Sequence, residues 1–344
     1  MAARPRLVVL RALGLGDFLT AVPALRALAQ AYPDHRTLLA APAALAPLAA
    51  LLNTVSAPGG TRGAPARIVD DVVDTDFRQR VSALPAQLAA ADVAVNLHGC
   101  GPQSHRALLA TEPGALLAFH HPQAAQPSSG AQPSGGPAWR PEEHEVTRWC
   151  RLLGAYGIPA DPGRLHLDVP TGGVPAHARG ATIIHPGATS PARRWPVERW
   201  AAVARAEHAA GRPVIITGGP GEVGLARRVA GMAGLPAGAV LAGRTGLAEL
   251  AGIVAAAGRV VCGDTGIAHL ATATRTRSVV LFGPTDPARW GPPAGHQLHR
   301  TLWAGRTGDP HAQRPDPGLL RITVDDVLDA LSGCGPCQEG IFVS

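Results

Sequence analysis

The stretch RVVCGDTGIAHLATA, from Arg259 to Ala273, decides the fold. Its first half is a short apolar run, typical of a strand that is buried on both faces of a sheet. Its second half, from Thr265 onward, has the composition of a helix. Because strands that pass directly into helices build parallel sheets, this stretch predicts an α/β protein.

The same pattern recurs along the chain. In the second half it is found in ATIIHPGA with WPVERWAAVARAEHAAG, PVIITGGP with EVGLARRVAGMAG, LAELAGIVAAAG and RSVVLFGP. In the first half, RLVVLRA predicts a strand, GLGD a turn, and FLTAVPALRALAQAYP one helix that ends near Pro33. RTLLAAP and DVAVNLHG predict two further strands, and EEHEVTRWCRLLGAYGI predicts a helix. We therefore expect two doubly wound domains, at residues 1–170 and 171–321. The remaining residues, 322–344, are predicted to form a closing helix, capped by Thr323, followed by a tail. The low-complexity stretch at about 122–137 is interpreted as an insert in the first domain.

Composition limits the classes of function. The chain has 344 residues, 46% hydrophobic and 16% charged, which indicates a globular protein large enough for two cores. The net charge is +6, yet all 31 basic residues are Arg, and no dense Arg cluster is interleaved with aromatic residues. We therefore expect no nucleic-acid partner.

The cysteines and the first residues indicate neither a disulfide scaffold nor a membrane span. Of the five cysteines, Cys334 and Cys337 form a single C-x-x-C near the end of the chain, without the second pair or the histidines that zinc would need. Arg11 and Asp17 interrupt the apolar run near the start. A cytoplasmic protein is expected.

The Asp264-Thr265-Gly266 tripeptide is also found in aspartic proteases, but the α/β pattern and the single copy exclude that class. Here it follows a strand and begins a helix, where unpaired N–H groups and the helix dipole favour an anion. His269 lies on the same helix face as Thr265. These residues alone allow two interpretations, a phosphate site or a structural turn with a buried histidine.

Two further loops favour the phosphate site. HPGATSPARRWP, from His185 to Pro196, offers Thr189, Arg193 and Arg194 at another strand-to-helix turn, and FGPTDP, from Phe282 to Pro287, follows a third strand. Guanidinium groups suit phosphate oxygens. Since the carboxyl ends of parallel strands share one edge, the second domain is predicted to bind a nucleoside diphosphate.

Two other motifs are misleading. Gly219, Gly221 and Gly224 form G-x-G-x-x-G, but no acidic residue lies near position 240 to bind a ribose, and Pro220 restricts the turn. Asp74-Thr75-Asp76 has the D-x-D spacing of some metal sites, but it falls in the first domain, away from the predicted nucleotide loops. We interpret it as a solvated acidic loop.

Several segments together resemble glycosyltransferase family 9, the heptosyltransferase family of lipopolysaccharide core assembly. The resemblance extends from about Arg6 to Leu331 and is carried by LGDFLTAVPALRAL, NLHGCGPQSHRALL, IIHPGATSPARRWPVERW, VIITGGPGE, GRTGLAELAGIVAAAGRVVCGDTGIAHLATA and VVLFGPTDPARWGP. It implies the GT-B fold, two Rossmann-like domains with parallel sheets facing across a cleft. The first would bind the acceptor and the second the nucleotide sugar.

The resemblance also implies an inverting glycosyltransferase that needs no metal or cofactor. Asp17 matches the family's proposed base; it also suits a helix cap, and the two roles are compatible. The donor-binding positions that match are Thr189, Arg193 (more often Lys in the family), Glu222 for the nucleoside, Thr245 for the adenine, and Asp264, Thr265, Gly266 and His269 for phosphates and sugar. The cysteines that many relatives carry after the Phe-Gly-Pro-Thr segment are absent.

The expected partners are a nucleotide-diphosphate sugar, most simply ADP-linked, and a glycan or lipid-linked acceptor, with a monomer as the default state. A lipid-linked acceptor would bring the protein to the inner membrane face, where Arg62, Arg67, Arg78, Arg80 and Arg106 could assist. The sequence identifies neither the sugar nor the acceptor. Two alternatives stay open, a non-catalytic nucleotide-sugar binder and, on the Gly219 motif, an NAD-dependent dehydrogenase.

Overall fold

The structure is a computed structural model that describes residues 4–53, 67–75, 83–124, 136–293 and 297–333. Most of the Ser-rich insert, Asp76 of the D-x-D, the Cys334/Cys337 pair and Arg62, Arg78 and Arg80 lie outside these residues. The chain divides into two compact units, Met1–Pro170 with Gly246–Gly252, and Thr171–Thr245 with Ile253–Ser344.

The first unit contains a five-stranded parallel sheet in the order β3-β2-β1-β4-β5. In chain order its elements are β1 (Arg6–Leu10), α1 (Leu15–Thr20), α2 (Val22–Ala31), β2 (Arg36–Ala41), α3 (Ala46–Leu52), β3 (Asp71–Asp74), β4 (Val93–Asn96), α4 (Gln103–Leu109), β5 (Ala115–Leu117) and α5 (Glu145–Ala155). Leu7 to Leu10 are fully buried, as expected for a central strand covered on both faces.

The helix predicted from Phe18 to Pro33 is in fact two helices. They meet at Ala21, because Pro23 lacks an N–H and its ring would clash with the carbonyl of Leu19. The predicted Gly14–Asp17 turn is also shorter than expected, since α1 already begins at Leu15. Asp17 therefore lies in the first turn of a helix rather than in a loop.

The second unit contains another five-stranded parallel sheet, in the order β10-β9-β8-β6-β7. The elements that follow α5 are β6 (Thr182–His185), α6 (Val197–Ala209), β7 (Val214–Ile216), α7 (Val223–Ala233), α8 (Leu247–Ala256), β8 (Arg259–Gly263), α9 (Gly266–Ala273), β9 (Ser278–Phe282), α10 (Pro287–Trp290), β10 (His299–Trp303), α11 (Pro317–Arg321) and α12 (Val324–Ser332). The strand and helix predicted from Arg259 to Ala273 are confirmed as β8 and α9.

The closing helix α12 belongs to the core of the second unit. Val327 and Leu331 are buried in the same apolar cluster as Trp195 and Trp200. The predicted cap is confirmed: the Thr323 hydroxyl accepts from the Asp326 N–H at 3.1 Å, and the Asp326 carboxylate accepts from the Thr323 N–H at 2.8 Å. No described helix is long and apolar enough to cross a membrane.

Each sheet has one topological switch point, where strands that follow one another in the chain begin to be added on the opposite side of the first strand. In the first unit this point lies between β1 and β4, where Leu10 is in register with Asn96. In the second it lies between β6 and β8, where His185 is in register with Cys262. Ligands of open α/β sheets bind beside such points, at the carboxyl ends of the strands.

A buried carboxylate, Glu207 on α6, ties the helix to the sheet of the second unit. It accepts hydrogen bonds from the Thr182 hydroxyl at 2.5 Å and from the Arg212 guanidinium at 2.6 and 2.8 Å, with Arg259 at 3.8 Å. Burial alone would raise the pKa of Glu207. The hydrogen bonds and nearby positive charges outweigh it and hold that pKa below the ordinary value of 4.5.

We expect Glu207→Gln to lower the free energy of unfolding at pH 7 by roughly 1.5–3 kcal/mol, the range for hydrogen bonds to a charged group. Because the folded-state pKa is depressed, this stabilisation is complete above the unfolded value and disappears as pH falls through the folded value. Urea unfolding should therefore show a gap between wild type and variant at pH 7 that narrows below about pH 4.5. Glu198→Gln, at an exposed position of the same helix, is the control. A gap independent of pH would contradict the charge-based account.

Candidate functional site

The switch point of the second unit brings most of the predicted donor-binding residues to one edge of its sheet. The loops after β6, β7, β8 and β9 all leave the carboxyl ends of parallel strands and therefore open at the same edge. Arg193, Glu222 and Asp264 lie on three of these loops, so residues far apart in sequence become neighbours.

Asp264 and the first turn of α9 form the centre of this edge. Asp264 is only 6% exposed, and its N–H donates to the Leu281 carbonyl at 3.1 Å. Thr265 is the N-cap residue in an extended conformation, yet its hydroxyl makes no capping hydrogen bond to the helix. The amides of Gly266 and Ile267 have no acceptor within the helix, whereas the Ala268 N–H donates to the Thr265 carbonyl at 3.0 Å, so the turn can bind an anion through its first two amides. His269 packs edge-on against the Trp290 ring, 6.0 Å between centroids.

The structure distinguishes Arg193 from Arg194. The Arg193 Nη1 donates to the Asp264 carbonyl at 3.1 Å and lies 3.7 Å from its carboxylate. Its Nε is shielded from solvent and has no hydrogen-bond partner among the residues described. Arg194 is exposed, and its Nε donates to the Ala188 carbonyl at 2.9 Å. Arg193 is therefore the guanidinium aimed at the start of α9.

Glu222 is held over the loop that follows β6. Its carboxylate accepts from the Gly219 N–H at 2.7 Å and lies 3.8 Å from the His185 Nε2. A Cβ on Gly187 would come within 2.0 Å of the carboxylate, so the Glu222 side chain would have to leave its observed position if residue 187 were not glycine. Burial lowers the pKa of His185, and the charge of Glu222 opposes that shift. His185, which the sequence analysis did not select as a site residue, therefore lies beside the acid.

These contacts also explain why the Gly219 motif is not a dinucleotide loop. Pro220–Glu222 forms one tight turn, and the Gly219 amide is occupied by the Glu222 carboxylate. A dinucleotide fold would present such amides to a pyrophosphate, which a carboxylate repels.

The side chains of the two remaining donor-side residues make no hydrogen bond to the others among the described residues. Thr189 is exposed on the loop after β6, and Thr245 is half-buried just before α8. Their predicted roles stay predictions.

Asp17 lies beside the switch point of the first unit. Its carboxylate accepts from the Gly14 N–H at 3.2 Å, which caps α1, and lies 3.5 Å from Nη2 of Arg11. Burial raises the pKa of Asp17, and the charge of Arg11 opposes that shift without cancelling it. A partly buried carboxylate with a raised pKa can accept a proton from a hydroxyl group.

The D-x-D has a structural role where it can be observed. Asp74 ends β3, and its carboxylate accepts from the Ala43 N–H at 2.8 Å. Across the described ranges, no group of three or more His, Cys, Asp or Glu side chains is arranged to hold a metal ion.

Comparison with known families decides the identity of the fold. The model of glycosyltransferase family 9 (heptosyltransferase) matches residues 138–316, more than half of the chain. The chain belongs to glycosyltransferase family 9. The match includes all the donor-side candidates, from Thr189 to His269, whereas Asp17 lies outside it.

Solved structures extend the likeness of this family 9 glycosyltransferase to nearly its whole length. A glycosyl transferase family 9 protein from Veillonella parvula is 19% identical, with a TM-score of 0.71 over 97% of this chain and 98% of that chain. The Escherichia coli ADP-heptose lipopolysaccharide heptosyltransferase II is 20% identical, with a TM-score of 0.70 over 96% and 98%. An E. coli heptosyltransferase with ADP-2-deoxy-2-fluoro heptose is 19% identical, with a TM-score of 0.67 over 96% and 100%. Comparison of the sequence with curated proteins found no match.

These likenesses confirm the expected GT-B class, with two parallel five-stranded sheets in one α/β chain. The prediction of a family 9 glycosyltransferase is likewise confirmed. The site residues were predicted from short motifs, and the cluster around Arg11 was missed, because its members lie far apart in sequence.

Proposed function

We propose that this family 9 enzyme transfers a sugar from an ADP-linked donor, heptose-like or similar, to a hydroxyl group of a glycan or lipid-linked acceptor. The observation that carries the proposal is the donor edge of the second unit, where the Arg193 guanidinium and the first turn of α9 converge beside Asp264. The names of the similar E. coli enzymes, an ADP-heptose heptosyltransferase and a heptosyltransferase with ADP-2-deoxy-2-fluoro heptose, support the choice of ADP and heptose.

The donor edge has the groups that a leaving diphosphate needs. Arg193 and the amides from Gly266 stabilise the negative charge that develops on the phosphates, with His269 on the same helix. This supply of positive charge within the chain supports a reaction without a metal ion. The Asp264 and Glu222 carboxylates accept hydrogen bonds from sugar and ribose hydroxyls, while Thr189 and Thr245 contact the diphosphate and the adenine.

On the acceptor side, Asp17 is the base. The acceptor hydroxyl oxygen attacks the anomeric carbon, the bond from that carbon to the diphosphate oxygen breaks, and the hydroxyl proton passes to Asp17. ADP leaves with the bonding electron pair. A single displacement of this kind inverts the configuration at the anomeric carbon.

The chemistry of the donor supports a cytoplasmic reaction, because nucleotide sugars are cytoplasmic metabolites. A lipid-linked acceptor would make the enzyme work at the inner membrane face. A non-catalytic nucleotide-sugar binder would share the donor edge but would have no need for Asp17.

Thermal unfolding against ADP, UDP, GDP, dTDP, CMP and NADH tests the donor assignment. A ligand of the folded form stabilises it by about 2.7 kcal/mol at one hundred times its dissociation constant, so the melting temperature rises. We expect the largest rise with ADP, unchanged by a chelator. A rise with NADH alone would overturn the proposal in favour of a dehydrogenase, and a chelator-sensitive rise would overturn metal independence.

A further inference from the structure

A fully buried arginine underlies Asp17 in the first unit. The Arg11 side chain is 1% exposed, and its guanidinium donates to the Leu97 carbonyl at 2.5 Å and to the Asp17 carbonyl at 2.9 Å. Its Nη2 donates to the Thr20 hydroxyl at 3.0 Å. Through the carbonyl of Asp17 and the hydroxyl of Thr20, Arg11 fixes the backbone of α1.

Two carboxylates compete for the charge of Arg11 at a single nitrogen. Nη2 lies 3.0 Å from a carboxylate oxygen of Glu145 and 3.5 Å from one of Asp17. The shorter distance is a charge-assisted hydrogen bond, whereas the longer is an ion pair outside the usual hydrogen-bond range. Arg11 is therefore bonded to Glu145 and only adjacent to the carboxylate of Asp17.

Glu145 is itself held rigidly. It is buried, it accepts from the Arg148 guanidinium, and it accepts from the Trp149 indole N–H at 3.0 Å. Arg11 also lies over the Trp149 ring, 4.7 Å from its centroid. Glu145 is thus the carboxylate bonded to both Arg11 and Arg148, and losing one member of such a buried charge cluster is costly, so its position is strongly determined.

We propose that Glu145 is a positioning residue that keeps Arg11 from neutralising Asp17, so that Asp17 remains able to accept a proton. The inference rests on the proposed function, in which Asp17 is the base. Arg11 orients Asp17 through its carbonyl, while Glu145 takes up most of the positive charge that would otherwise weaken the base.

The other charged and titratable groups around Asp17 are consistent with this role. Burial of Asp17 and the negative charge of Glu145 both raise the pKa of Asp17, whereas the positive charge of Arg11 lowers it. His98, which follows β4, has its pKa lowered to about 4 by burial and by Arg11, so it is neutral near pH 7. Arg148 is paired with Glu145 itself. The balance at Asp17 thus depends on Arg11 and Glu145.

The test is a titration of Asp17 by carboxyl ¹³C NMR, with its signal assigned from an Asp17→Asn spectrum. In Glu145→Gln the charge of Arg11 becomes available to Asp17, so we expect the pKa of Asp17 to fall by about one unit, a tenfold weaker base. Glu143→Gln is the matched control. Its carboxylate pairs with Arg151 at 2.7 Å, close by in sequence, and makes no described contact with Arg11. An unchanged Asp17 pKa in a folded Glu145→Gln protein would overturn the inference.

Wild-type protein still tests the inference if Glu145→Gln does not fold, because a dominant charge of Arg11 would bring the pKa of Asp17 to or below its ordinary value. The pKa of Asp17 should then lie above the ordinary aspartate value of 3.8, despite the guanidinium 3.5 Å away. A value at or below 3.8 would overturn the inference. Since the titration needs no substrate, an absence of glycosyl transfer would count against the proposed function while leaving this result intact.

Discussion

Replacing Asp17 with asparagine is expected to lower the rate of sugar transfer by roughly 10²- to 10⁴-fold, the usual contribution of a general base. Asparagine keeps the size of the side chain but cannot take the proton of the acceptor hydroxyl. The affinity for ADP should be unchanged, because the predicted donor residues all lie in the second unit. The two measurements are release of ADP from ADP-heptose in the presence of a glycolipid acceptor, and calorimetric titration with ADP.

The control for this experiment is Asp34→Asn, at an exposed aspartate of the same unit. It should leave both transfer and ADP binding as in wild type. If Asp17→Asn kept normal turnover, Asp17 would be only the cap of α1, since its carboxylate also accepts from the Gly14 N–H. Equal losses of transfer and of ADP affinity would indicate a structural defect instead.

The second large effect is expected from Arg193→Ala, which should weaken ADP binding by roughly 10- to 100-fold. A hydrogen bond to a charged group contributes about 1.5–3 kcal/mol, which corresponds to this range of affinity. Arg193 is the guanidinium next to Asp264, and its side chain is 25% exposed, which leaves part of it accessible to a ligand. Titration calorimetry with ADP measures the change directly.

Arg194→Ala is the matched control, because the two arginines are adjacent in sequence but their side chains donate to different groups. Arg194 is exposed and donates to the Ala188 carbonyl, so we expect its loss to change ADP affinity by less than about threefold. The reverse result, with binding lost only in Arg194→Ala, would transfer the phosphate role to Arg194.

The elements that were predicted correctly are those that short-range patterns determine. The strand and helix around Asp264 follow from an apolar run and a helix start within fifteen residues. The Thr323 cap needs only four residues. The strand β5, Ala115–Leu117, was missed because three residues carry too little periodicity.

The parts of the site that were not predicted depend on contacts between distant residues. Arg11 and Glu145 are 134 positions apart, and only the packing of the first unit brings them together. One signal was present in the sequence: a charged residue directly after the buried run Leu7–Leu10 must find a partner in the interior. Nothing in the sequence identifies Glu145 as that partner, because Glu142 and Glu143 lie just before it and offer the same carboxylate group.

The fit of Glu222 over Gly187 has a consequence for how this site can change during evolution. The two positions share one space, since a methyl group at 187 would overlap the carboxylate of Glu222. A chain that loses the acid at 222 is free to gain a side chain at 187, whereas the opposite order of substitutions displaces the Glu222 carboxylate from its hydrogen bond with the Gly219 N–H. Among descendants of this chain, we expect changes at 187 to follow changes at 222, so that the two positions vary as a pair.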